Sequence, residues 1–63
     1  MLYYVHLEEI FRAFVKAEAV PSQELLHAIA ATVDSPVTMV RNVYIDVYRK
    51  GTGYQDDPFK VDH

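Results

Sequence analysis

Arg41, Asn42, Arg49 and Lys50 fall within a single stretch of ten residues, and no other part of the chain gathers so many cationic and amide donors. Guanidinium, ammonium and carboxamide groups suit contacts with an anionic surface. Charge sharpens the contrast. Residues 35–51 carry Arg41, Arg49 and Lys50 against Asp46 and net +2, whereas residues 1–34 net −3 and residues 52–63 net −2. The whole chain nets −3. An acidic chain starts at a disadvantage on a polyanion, because affinity there comes largely from neutralised phosphates.

The remaining groups with chemistry are sparse. His6 and Glu9 stand one helical turn apart and could share a metal, but no third ligand accompanies them, so a solvated histidine is expected. His27 lies away from the apolar side of its segment and is expected to be exposed. Asp56, Asp57, Asp62 and His63 match no cation-binding loop. The chain contains no cysteine, which rules out a disulfide and a thiolate metal site. No nucleophile elbow, phosphate-cradling glycine loop or metalloprotease helix is present, and Gly51-Thr52-Gly53 is too short to hold a phosphate. A chain this small builds no deep substrate pocket. We therefore expect no enzyme, no cofactor, no metal and no small-molecule substrate.

These side chains must be positioned by a very small fold. At 63 residues the chain forms one domain at most, and such a domain buries only about 60% of the surface its unfolded chain exposes. Leu7, Ile10, Phe11, Phe14 and Val15 recur at steps of three and four, which predicts a first helix from about Val5 or His6 with Glu8 and Glu9 near its positive end. Glu8 and Arg12 form an attractive i,i+4 pair. That helix should stop by Val20, ahead of Pro21. Ser22 is placed to cap a second helix running to Val33, with Leu25, Leu26, Ile29, Ala30 and Val33 inward. Asp34 and Ser35 suit a turn, and Pro36 suits the first position of a third helix to Lys50 that buries Val37, Val40, Val43, Tyr44 and Val47, with Gly51 as its C-cap. The run Val43-Tyr44-Ile45-Asp46-Val47-Tyr48 is also rich in strand formers, so a hairpin turning at Gly51-Thr52-Gly53 is the competing expectation. The expected fold is an all-α, three-helix domain over residues 1–51 with a short irregular or hairpin-forming tail over 52–63, on which Phe59 and Val61 pack back.

Ala30, Asp34, Val40 and Val43 stand at the spacing of the helix-turn-helix class of DNA-binding domains, with Ile29 and Val33 as supporting core positions, and the chain resembles that class, or its winged form, over about half its length. Asp34 stands where the class commonly has glycine, and the overall charge also departs from the class. The resemblance implies a small DNA-binding regulator whose third helix reads sequence. Thr38, Arg41, Asn42 and Ile45 would face the bases, Arg to guanine, Asn to adenine, Thr and Ile to a thymine methyl. Ser22, Ser35, Arg49 and Lys50 would contact phosphates.

A different class of function is also open. Tyr3, Tyr4, Tyr44 and Tyr48 exceed what a small core needs, and tyrosine is favoured at interfaces. They suggest an acidic module or inhibitor, of the kind phages and plasmids carry, that binds another protein through a Tyr-rich surface. Asp57-Pro58-Phe59 resembles short docking motifs. The apolar and aromatic content makes a homodimer the expected state. No apolar run approaches the length of a membrane helix. Met1-Leu2-Tyr3-Tyr4-Val5 lacks the basic region and cleavage site of a secretory signal, so a cytoplasmic protein is expected.

Overall fold

Each apolar stripe becomes a helix in the computed structural model, which describes residues 3–59, with side chains from residue 5 onward. The helices are α1 (Tyr3–Lys16), α2 (Gln23–Thr32) and α3 (Val37–Thr52). The architecture is all-α, with no strand among the described residues. Residues 43–48 are helical despite their β-forming composition. Helical spacing puts Val40, Val43, Tyr44 and Val47 into one core, whereas strand alternation would send Val43 and Tyr44 to opposite faces. The hairpin expectation is therefore corrected.

Helix α1 starts at Tyr3, ahead of the expected Val5 or His6, so Glu8 and Glu9 occupy its second turn and leave its first turn without an acid. Glu8 and Arg12 pair at 3.8 Å as expected for i,i+4 partners. Leu7 and Phe11 are buried, but Ile10 is 44% exposed and stands outside the core. The helix ends earlier than Pro21 requires. Glu18 takes the left-handed φ of 55°, its N–H reaches the Val15 carbonyl at 3.0 Å, and the Ala19 N–H reaches that of Phe14 at 2.9 Å. This pair of bonds is a Schellman closure.

The Ser22 hydroxyl caps α2, accepting from the Leu25 N–H at 3.1 Å. Of its expected inward residues, Leu26 and Ala30 are buried, while Leu25, Ile29 and Val33 are half-buried. The helix closes as α1 does: Asp34 sits at φ 55°, with Ser35 N–H bonded to Ala30 O at 3.0 Å and Asp34 N–H to Ala31 O at 3.4 Å. Pro36 proves to be the N-cap of α3 rather than its first residue. At the other end, α3 passes through Gly51 and stops at Gly53, whose φ of 82° makes it the left-handed C-cap. The capping expectation for Gly51 is thus corrected. Gly51 is instead a contact point, since a Cβ there would stand 3.1 Å from Val15 Cγ1.

The core is built around α3. Helices α1 and α2 both pack on it, their backbones closer to α3 than to each other. Phe11, Leu26, Val40 and Tyr44 are the largest fully buried side chains, and burying each such residue contributes about 1.5–3 kcal/mol. Phe11 meets Tyr44 edge-on, with ring centroids 5.3 Å apart. After Gly53 the chain is irregular but tied down. Phe59 packs on Tyr44 at 5.3 Å between centroids, and the Tyr48 hydroxyl donates to Asp56 Oδ1 at 3.2 Å. Val61 lies outside the described residues.

Candidate functional site

A helix turns 100° per residue, so Thr38, Asn42, Ile45 and Arg49 fall within an arc of about 60° on α3, directly opposite the core residues. Thr38, Asn42 and Arg49 are exposed and Ile45 is half-buried. Four of the six α3 residues expected to meet a nucleic acid thus share one outward face. The bend ahead of α3, set by Asp34 and Ser35, presents the N-terminal turn of that face to solvent.

Arg41 is turned away from it. This side chain is half-buried. Its Nη2 donates to Gln23 Oε1 at 3.0 Å, its guanidinium carbon lies 5.7 Å from the centre of the Phe59 ring, and its Nε is buried without a hydrogen-bond partner. In this arrangement Arg41 clamps the start of α2 and the tail to α3, and it offers no free fork to a base edge. Lys50 is exposed but projects about 100° away from Arg49. It lines a shallow cleft between α1 and α3 together with Glu8, Glu9, Arg12 and Lys16. The outward face therefore carries Arg49 as its cation, with Asp46 exposed beside it. Of the two serines expected near phosphates, Ser35 donates its hydroxyl to Val33 O at 3.3 Å, within the turn. Ser22 spends its oxygen on the α2 cap.

Of the expected tyrosine surface, Tyr44 is corrected. Tyr44 is 1% exposed and belongs to the core, where its hydroxyl donates to the Ala19 carbonyl at 3.3 Å. Tyr48 is half-buried, and its ring stands near those of Tyr44 and Tyr54. Burial raises the hydroxyl pKa of Tyr44 above its ordinary value. For Tyr48 desolvation does the same, reinforced by the bond to the Asp56 carboxylate. The side chains of Tyr3 and Tyr4 lie outside the described ones. The motif-like Asp57-Pro58-Phe59 is a small turn in which Asp57 Oδ1 accepts from the Phe59 N–H at 2.9 Å, and it aims Phe59 at the core.

Among the described residues no three metal-ligating side chains come together. No helix among them is long and apolar enough to cross a membrane. His27 is exposed, as expected.

Sequence reasoning missed one feature. A groove of about 470 Å³ opens between α1 and α2, lined by Leu7, Ile10, Leu25, Ala28, Ile29 and Val33. Ile10, at the edge of the α1 stripe, was the available signal.

No family model, curated protein or solved structure matches this chain.

Proposed function

We propose that this chain is a small DNA-binding regulator of helix-turn-helix type, with the outward face of α3 as its reading surface. The observation that carries this reading is the shared orientation of Thr38, Asn42, Ile45 and Arg49, all clear of the core. Three further features support it. Ala30, Val40 and Val43 are buried where the class pattern needs apolar packing. Asp34 takes the left-handed turn conformation that glycine adopts with least strain. The N-terminal turn of α3 is free of side-chain capping bonds.

On this reading Asn42 makes the base contact, bidentate to adenine, and Thr38 and Ile45 supply apolar contact with thymine methyls. Arg49 holds a phosphate, while Lys50, turned into the α1/α3 cleft, lies off this face. Arg41 supports the reading helix from behind instead of reading a base itself. One phosphate-contacting cation per copy implies weak binding with a shallow salt dependence, a slope of roughly −1 in log K against log salt. Fluorescence anisotropy on a random duplex should therefore show about a three- to fourfold loss of affinity per copy between 50 and 200 mM salt. Absence of any duplex binding at low salt ends the proposal.

A second reading is favoured by the net charge of −3 and by the apolar groove between α1 and α2. It is an acidic helical module that binds another protein, by the groove and not by the tyrosines. It predicts no duplex binding, together with a protein complex that Ile10→Lys breaks and Asn42→Ala leaves intact.

A further inference from the structure

Arg41, Tyr44 and Tyr48 fall within an arc of about 60° on α3, along a flank that ends about 40° short of Ile45 on the outward face. The C-terminal segment lies on this flank. Phe59 packs on Tyr44 at 5.3 Å between centroids and lies under the Arg41 guanidinium, and Asp56 accepts from the Tyr48 hydroxyl at 3.2 Å. Residues 54–59 thus border the surface that α3 turns to solvent.

Their attachment is slight. Helix α3 ends at Thr52, and residues 54–57 are exposed, while Phe59, the one ring they send back to the core cluster, is only half-buried. Segments held by few buried contacts and exposed hydrogen bonds are the first to open.

Charge sets what their position does. Residues 54–59 carry Asp56 and Asp57 and no cation, so two exposed carboxylates stand beside a surface that is to meet phosphates, and they repel a duplex. Arg41 is held by neutral groups, the Gln23 amide oxygen and the Phe59 ring, and among the described residues no carboxylate is paired with it. A phosphate or a guanine edge engages a guanidinium fork more strongly than an amide or a ring does. A duplex therefore favours the state in which Arg41 is free, and that difference in affinity is what shifts the equilibrium.

We propose that residues 54–59 form an autoinhibitory strap. Seated, the strap holds Arg41 away from the outward face of α3 and sets Asp56 and Asp57 beside that face. Displaced, it takes the carboxylates away and frees Arg41, which lies close enough on the wheel to swing onto the face as a second cation. This regulation rests on the reading of α3 as the DNA-binding surface.

Fluorescence anisotropy on a duplex, with the full chain at 50 and 200 mM salt, tests it. Phe59→Ala, which removes the anchor, should bind about five- to tenfold tighter than wild type at the lower salt, with a slope steeper by about 1. Tyr48→Phe, which breaks the Asp56 bond and keeps both the ring and the net charge, should tighten binding by about twofold. Most of each gain should vanish when Arg41→Ala is added. Circular dichroism follows the fold, and if Phe59→Ala loses helix, Tyr48→Phe decides alone. Wild type that binds duplex while neither folded variant binds tighter overturns the strap and leaves the α3 reading standing. A gain undiminished by Arg41→Ala overturns it equally. Absence of duplex binding by wild type and variants alike ends the α3 reading, and the strap with it.

Discussion

Arg41 lies over the Phe59 ring, the guanidinium carbon 5.7 Å from the ring centre, while the same guanidinium donates to Gln23. One side chain thereby fastens the first turn of α2 and the C-terminal segment to α3. The cation on which a nucleic-acid contact would most readily be built is spent on holding the fold together.

This clamp has a measurable strength. Arg41→Ala should destabilise the domain by about 1–2 kcal/mol, through lost packing of the side-chain stem and the lost bond to Gln23. A double-mutant cycle with Phe59→Ala should return a coupling of about 0.5–1 kcal/mol. Urea unfolding followed by circular dichroism measures both. Additive effects would show that ring and guanidinium do not interact.

The two left-handed turn residues are stabilisable. Glu18 and Asp34 both sit at φ 55°, a conformation in which a Cβ is strained and glycine is not. Glu18→Gly should stabilise the chain by about 0.5–1 kcal/mol, because that closure serves only to end α1. Gly53→Ala, at φ 82°, should destabilise it by about 1 kcal/mol. Thermal melts distinguish the two signs.

Alkaline pH should unfold the protein through its tyrosines. The folded state raises the hydroxyl pKa of Tyr44 by burial, and that of Tyr48 by desolvation and the bond to Asp56. The folded state therefore prefers the protonated phenol. The stability this contributes is complete below the unfolded pKa of about 10 and is lost as pH rises through the raised folded values. Urea midpoints should be flat in this respect up to about pH 9.5 and fall beyond it. Tyr48→Phe should reduce that fall, and an unchanged profile in this variant would remove Tyr48 from the account.

Base contact by Asn42 predicts a sequence-selective loss. Asn42→Ala should weaken a preferred duplex by about 1–3 kcal/mol, whereas Arg49→Ala should weaken all duplexes alike and lower the salt slope by about 1. Binding selections with both variants separate the two effects.

What the amino-acid order made legible was local. The Ser22 cap, the Asp34-Ser35 turn and the helical stripes follow from residue types at fixed short offsets, and the structure has them. So does the outward face of α3, because helical rotation alone puts Thr38, Asn42, Ile45 and Arg49 together. The misses were long-range or depended on competing neighbours. The fate of Arg41 depends on Gln23 and Phe59, each eighteen residues away along the chain, and no offset rule reaches that far. Tyr44 was expected both in the buried set of α3 and on a tyrosine surface, and its packing against Phe11 and Phe59 puts it inside. Gly51 was the expected C-cap of α3, two residues short of the observed one. Gly51 meets Val15, a tertiary contact, which leaves the cap to Gly53. The α1/α2 groove arises from how two helices straddle a third, and periodicity carries no information about that.

The central claim, that the outward face of α3 meets a duplex, is tested most directly by titrating ¹⁵N-labelled protein with DNA at low salt and following amide chemical shifts. The expected result is a set of changes centred on Thr38, Asn42, Ile45 and Arg49, with Leu25 and Ile29 in the groove undisturbed. Changes confined to α1 and α2, or none at all, would contradict it.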